Sequence, residues 1–188
     1  MTPREQYVAF MTILRKEIKR YMRIWTQTLL PSAITMSLYF VIFGTLIGSR
    51  IGEMGGFTYM QFVVPGLIMM AIVSNSYANV VSSFFGSKFH HSVEELLVSP
   101  VPNYIILLGF VAGGVARGLM VGLIVTVLAL FFTSLHMHSL AVTVSVVVLT
   151  SLLFSLCGFI NAVFAENFDD ISIIPTFVLT PLIYLGGV

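Results

Sequence analysis

Charge is scarce in this chain. Asp, Glu, Lys and Arg make up 9% of its 188 residues, against about 25% in soluble globular domains. That excludes an ordinary water-facing surface. Cysteine is scarcer still: Cys157 alone cannot form an internal disulfide, so no disulfide framework is available and the redox compartment stays undecided. Also missing is a glycine-rich loop ending in lysine, since neither Lys19 nor Lys88 follows a glycine-rich strand. The chain therefore has no nucleotide site of its own, and ATP-driven or redox work would need a partner chain. No secretory signal peptide is expected, because six Lys/Arg lie in the first 23 residues and no small-residue cleavage site closely follows the first apolar run. A net charge of +1 speaks for no nucleic-acid partner.

What the sequence does have is apolar length. Hydrophobic residues reach 57% and the mean hydropathy is +1.00. In hydrocarbon every backbone N–H and C=O must be satisfied internally, so spans this apolar must be helices. The expected fold is all-α: a single polytopic transmembrane helical bundle over 1–188. Spans are read at 24–48, 57–85, 113–132, 140–164 and 171–188.

Residues 5–23 precede the first span and read as an interfacial helix. Tyr7, Met11, Leu14, Ile18, Met22 and Trp25 share one face, and Arg15, Lys16, Lys19, Arg20 and Arg23 occupy a broad opposite one. Such a helix lies in the headgroup layer; the alternative is a plain positive flank. Either reading places the N-terminus in the cytoplasm.

The loop at 86–103 differs in kind, gathering Lys88, His90, His91, Glu94 and Glu95 before Ser99-Pro100-Val101-Pro102-Asn103. Glu94-Glu95-Leu96-Leu97 predicts a short amphipathic helix that the prolines terminate. By parity it is cytoplasmic. Between Arg117 and Glu166 no charged residue occurs, and the break falls at Thr133–Ser139. Tyr104–Ala112 is expected to approach span three along the membrane surface. Ala165–Asp170 forms an acidic loop, and Glu166, Asp169 and Asp170 have no basic neighbour in sequence. The chain ends inside an apolar stretch at Gly186-Gly187-Val188, which we read as incompleteness.

Several residues have two readings. Arg117 either snorkels to the headgroups or meets a buried partner such as Glu94 or Asp169. Glycines at four-residue spacing (Gly44/Gly48/Gly52, Gly109/Gly113, Gly114/Gly118/Gly122) let helices approach closely, within one subunit or at a moving or dimeric seam. Pro31, Pro65, Pro175 and Pro181 each free a carbonyl inside an apolar helix, and Pro65-Gly66 is a candidate hinge. Asn75, Ser76, Asn79, Ser82 and Ser83 form a polar stripe that glues helices or lines a lateral path. His136 and His138 alone do not make a metal site. Glu94-Glu95 resembles the paired glutamates of membrane-embedded prenyl-protein proteases, but Ser99 stands where that pattern has arginine, so catalysis is disfavoured.

The order of features resembles the ABC-2 type permeases, membrane subunits of bacterial ATP-binding-cassette exporters. The resemblance is carried by the basic N-terminal elbow, Phe62-Val63-Val64-Pro65-Gly66-Leu67, and Glu94-Glu95-Leu96-Leu97-Val98-Ser99-Pro100. Arg117-Gly118 and Phe168-Asp169-Asp170 add to it. It implies six spans, of which about five are present, a permease dimer, and a bacterial inner-membrane location. It further implies an ATPase subunit that holds ATP and magnesium, while this chain binds no cofactor and no metal itself. Glu94, Glu95, Leu96, Leu97, Ser99 and Pro100 would couple to that ATPase, with the elbow as a second contact. Pro65, Gly66 and Arg117 would belong to a hinge or seam. The substrate implied is amphipathic or lipid-like, moved outward. An intramembrane enzyme and a non-transporting scaffold are the competing classes.

Overall fold

The computed structural model describes residues 1–48, 53–54, 56–134 and 139–185. Expectations for Arg50, Gly52, His136, His138 and Gly186–Val188 lie outside them.

The first helix, α1 (Pro3–Arg23), starts where Thr2 and Glu5 exchange hydrogen bonds: Thr2 N donates to Glu5 Oε2 at 2.8 Å and Glu5 N to Thr2 Oγ1 at 3.4 Å. This reciprocal cap satisfies two orphan donors, and Pro3 needs no N–H at the first turn. The first span is not one straight rod. It comprises α2 (Trp25–Thr28), α3 (Leu30–Val41) with Pro31 in its first turn, and a π-helical stretch at Ile42–Ile47. A two-residue hairpin follows, β1 (Glu53–Met54) paired antiparallel with β2 (Phe57–Thr58). Thr58 then caps α4 (Tyr59–Phe89) in another reciprocal box with Gln61. The chain continues through α5 (Ser92–Val98), α6 (Asn103–Leu130) and α7 (Leu140–Phe164). It reaches α8 (Asp170–Ile174), a second π-helical stretch at Pro175–Leu179, and α9 (Thr180–Leu185).

Among the described residues four segments are long and apolar enough to cross a membrane, Trp25–Gly44, Tyr59–Phe89, Asn103–Leu130 and Leu140–Phe164, and Asp170–Leu185 is a shorter apolar helix. One expectation is corrected. Tyr104–Ala112 is not a separate surface approach, because α6 runs unbroken from Asn103. No proline interrupts it, and its early glycines are gripped by α1: a Cβ on Gly109 would meet Ile13 and one on Gly113 would meet Glu17 at 2.6 Å.

The central helix is α4, packed against α3, α6 and α7, while α1 packs on α6. One apolar cluster joins Phe40, Val64, Leu67, Val125 and Ala129; another joins Ile13, Val80, Phe84, Phe110 and Ala162. In the second, the Phe84 ring lies edge-on to Phe110 at 5.3 Å and 4.4 Å from Phe159. By contrast α7 turns Val142, Val144, Leu149, Leu153 and Ile160 outward, a surface suited to lipid rather than water.

The second glycine row of α6 faces α4. A Cβ on Gly118 would collide with Ser76, and one on Gly122 would meet Ile72 Cγ1 at 2.7 Å. Both rows thus serve close packing within one subunit. Pro175 cannot donate to the Ile171 carbonyl four residues back; Asn161 Nδ2 donates to it instead, at 3.4 Å, and to Tyr77 Oη at 2.7 Å.

Candidate functional site

Two regions concentrate chemistry: an exposed helix at one end of the bundle and a buried polar seam inside it.

The exposed helix is α5. His91, in the left-handed region at φ 56°, turns the chain out of α4. Ser99 adopts extended backbone, as a residue before proline must, and its Oγ donates to the Leu96 carbonyl at 2.5 Å. Val93 is buried and Leu96 rests on the core, so α5 is anchored along one side. The other side is open: Glu94, Glu95, Leu97 and Pro100 are exposed, and Val98 is 88% exposed. Glu94 Oε1 lies 2.8 Å from His91 Nδ1, with both side chains largely open. Two carboxylates thus stand beside two bare aliphatic side chains on the open side of α5.

Beside α5, Lys88 Nζ donates to the carbonyl oxygens of Val163 at 2.8 Å and Ala165 at 2.7 Å. It closes the last turn of α7, where orphan carbonyls and the helix dipole favour a cation. The acidic loop after α7 therefore does have a basic neighbour, 75 or more positions away in sequence. Asp170 Oδ2 accepts from Glu166 N and Asn167 N and shapes that loop.

The buried seam lies between α1, α4 and α6. Along α1, the residues facing the bundle are Ile13, Glu17 and Tyr21. The stripe Tyr7, Met22 and Trp25 is exposed instead. Arg15, Lys16, Lys19 and Arg23 point outward as expected, but Arg20 does not. Its guanidinium turns inward, donating to Asn79 Oδ1 at 2.9 Å and the Asn79 carbonyl at 3.1 Å, and it lies 3.3 Å from Glu17 Oε2. Glu17 is fully buried and accepts from Ser83 Oγ at 2.7 Å.

One turn away on α4, Asn75 holds the second arginine. Arg117 donates to Asn75 Oδ1 at 3.1 Å and to the Thr28 carbonyl at 3.3 Å, and Asn75 Nδ2 donates to Ser32 Oγ at 3.1 Å. Neither Glu94 nor Asp169 is its partner; two neutral acceptors hold it inside the bundle. Tyr21 is also buried here. Burial pushes its phenol above the ordinary value, while the Arg117 guanidinium pulls the other way.

Of the polar stripe, Asn75, Ser76, Asn79 and Ser83 are buried in this seam, and Ser82 faces away. Pro65 is exposed within α4, which stays helical across it, and Gly66 is partly buried beside it. Among the described residues no group of His, Cys, Asp and Glu is arranged to hold a metal ion. Glu17, Lys88 and Asn161 carry structure that sequence reading missed. Glu17 alone left a trace, as the acid three residues before Arg20 in a basic helix.

Comparison with known proteins supplies the context. The ABC-2 type transporter family model matches residues 8–188. The inner membrane transport permease YadH of Escherichia coli is 63% identical over 182 residues, covering 97% of this chain and 71% of that protein. Nodulation protein J of Neorhizobium galegae is 21% identical over 179 residues, covering 95% and 68%. Nodulation protein J of Rhizobium leguminosarum bv. trifolii is 24% identical over 151 residues, covering 80% and 58%. No solved structure matches the chain.

Proposed function

The chain belongs to the ABC-2 type transporter family, and from that membership we propose that it is the permease subunit of an ATP-driven exporter coupled to its ATPase through α5. It is a multi-pass membrane protein and a transport subunit rather than an enzyme. The proposal adds the direction, the partner and the contact. A separate ATPase binds ATP and magnesium and docks on Glu94, Glu95, Leu96, Leu97, Ser99 and Pro100. The permease pairs with a second copy, and its N-terminus lies in the cytoplasm. The cargo is amphipathic or lipid-like, since the spans carry so little charge that a small ionic solute finds few partners at depth.

The observation that carries this reading is the form of α5. It is a seven-residue helix, anchored by Val93 and Leu96, that leaves two carboxylates, Leu97 and Val98 uncovered. Among the described residues the one side-chain hydrogen bond on that surface is local, between Glu94 and His91. A rigid element of this kind transmits displacement, because its buried side joins it to α4 while its open side meets the motor.

The test is a native-detergent pull-down from host membranes, with bound proteins identified by mass spectrometry. The wild-type chain should recover an ATP-binding-cassette ATPase in stoichiometric amount. Glu94→Lys with Glu95→Lys should insert normally and lose it. Undiminished recovery with the double variant would remove α5 as the coupling element.

A further inference from the structure

The two arginines of the seam hang from successive turns of α4. Arg20 sits on Asn79 and Arg117 on Asn75, positions about 6 Å apart along the helix axis. Glu17 pairs with Arg20, and among the described residues no carboxylate lies within ion-pair distance of Arg117, so the seam carries an excess positive charge. Four of its polar atoms are buried with no hydrogen-bond partner among the described residues: Arg20 Nε, Arg117 Nε, Asn79 Nδ2 and Ser76 Oγ. Asn79 and Ser76 are both fully buried.

The kind of atom left over identifies what is missing. Three of the four are obligate donors and the fourth is a hydroxyl that can donate. Buried donors without acceptors are destabilising, and each such group needs an explanation. Water would satisfy donors but leave the charge. An anion with several acceptor oxygens answers both, and phosphate is the group that guanidinium forks recognise best.

Arg20 reaches from the seam to the outer face of α1. Arg20 keeps about a quarter of its side chain exposed and lines a groove of about 990 Å³ with Arg15, Lys16, Lys19 and Arg23. On the lipid-facing side of the same helix, Phe10, Leu14 and Ile18 meet Leu108, Val115 and Leu119 around a second groove of about 420 Å³ whose lining is almost wholly apolar. A basic groove and an apolar one on two sides of one interfacial helix suit a molecule that is anionic at one end and aliphatic at the other.

We propose that the seam between α1, α4 and α6 is a binding site for the phosphate of an anionic membrane lipid, held by Arg20, Arg117, Asn79 and Ser76. The lipid clamps the elbow helix onto the bundle. The site is separate from α5 and stands whether or not an ATPase docks there.

The test uses the full-length protein, delipidated in detergent and supplied with phosphatidylglycerol, phosphatidylethanolamine or inorganic phosphate, read by native mass spectrometry and thermal midpoint. Phosphatidylglycerol should bind and raise the midpoint more than phosphatidylethanolamine does. Asn79→Asp places a carboxylate on the atom Arg20 already holds, so it should fold and bind phosphatidylglycerol at least about tenfold more weakly. Arg20→Gln should lose binding similarly. Equal protection by inorganic phosphate would overturn the lipid assignment in favour of a free anion. Full binding by Asn79→Asp, with loss only in a combined Arg15→Gln, Lys16→Gln, Lys19→Gln, Arg23→Gln variant, would overturn the buried site altogether.

Discussion

The carboxylate of Glu17 accepts a hydrogen bond from Ser83 Oγ at 2.7 Å, joining the interfacial helix to the middle of the bundle with both groups buried. Removing the hydroxyl strands a charged acceptor without removing much volume. Ser83→Ala is expected to cost about 1–3 kcal/mol, read as a lower thermal midpoint in detergent. An unchanged midpoint would mean that water replaces the hydroxyl.

Glycine positions on α6 should differ sharply from a glycine on α4. At Gly113 a methyl would sit 2.6 Å from Glu17 Cβ, and at Gly118 it would collide with Ser76, whereas nothing lies within 4 Å of the position at Gly86. Gly113→Ala and Gly118→Ala should each destabilise by about 1–3 kcal/mol. Gly86→Ala should be neutral or stabilising by up to about 1 kcal/mol. Thermal midpoints of the three variants decide it.

Asn161 and Pro175 should be energetically coupled. Asn161→Ala leaves the Ile171 carbonyl and the Tyr77 hydroxyl each short of a partner, for about 1–3 kcal/mol. Pro175→Ala supplies a backbone N–H toward the same carbonyl, so it should be less harmful in the Asn161→Ala background than alone. Strict additivity in the double-mutant cycle would refute that link.

Lys88 ties α4 to the end of α7 through two carbonyls. Lys88→Ala should loosen the stretch from Val163 to Asp170, seen as faster limited proteolysis there. The global loss should be modest, about 1 kcal/mol, because one of the two bonds is exposed.

The spans and α5 could be read from the sequence because they depend on local signals: long uncharged runs, a polar break, and prolines after a short amphipathic segment. The small-residue spacing on α6 was equally plain. What it faced was not, since Gly109 and Gly113 receive α1 while Gly118 and Gly122 receive α4. Arg20 defeats local reading for the same reason. Its wheel position beside Lys16 and Arg23 reads as solvent-facing, yet Asn79, 59 positions on, draws it inside. Lys88 finds its carbonyls 75 and 77 positions away. Reading Tyr104–Ala112 as a surface approach failed because the contact that holds it is distant in sequence: the bare backbone at Gly109 and Gly113 receives Ile13 and Glu17 of α1 along one helix that starts at Asn103.

The length of α4 bears on reach. Its 31 residues extend about 46 Å, against a hydrocarbon layer of about 30 Å. Its last turn carries Ser87 and Lys88, and His90 and His91 follow it into α5. α5 folds back from that polar end, with Val93 and Leu96 turned onto the bundle and Glu94, Glu95, Leu97 and Val98 left open.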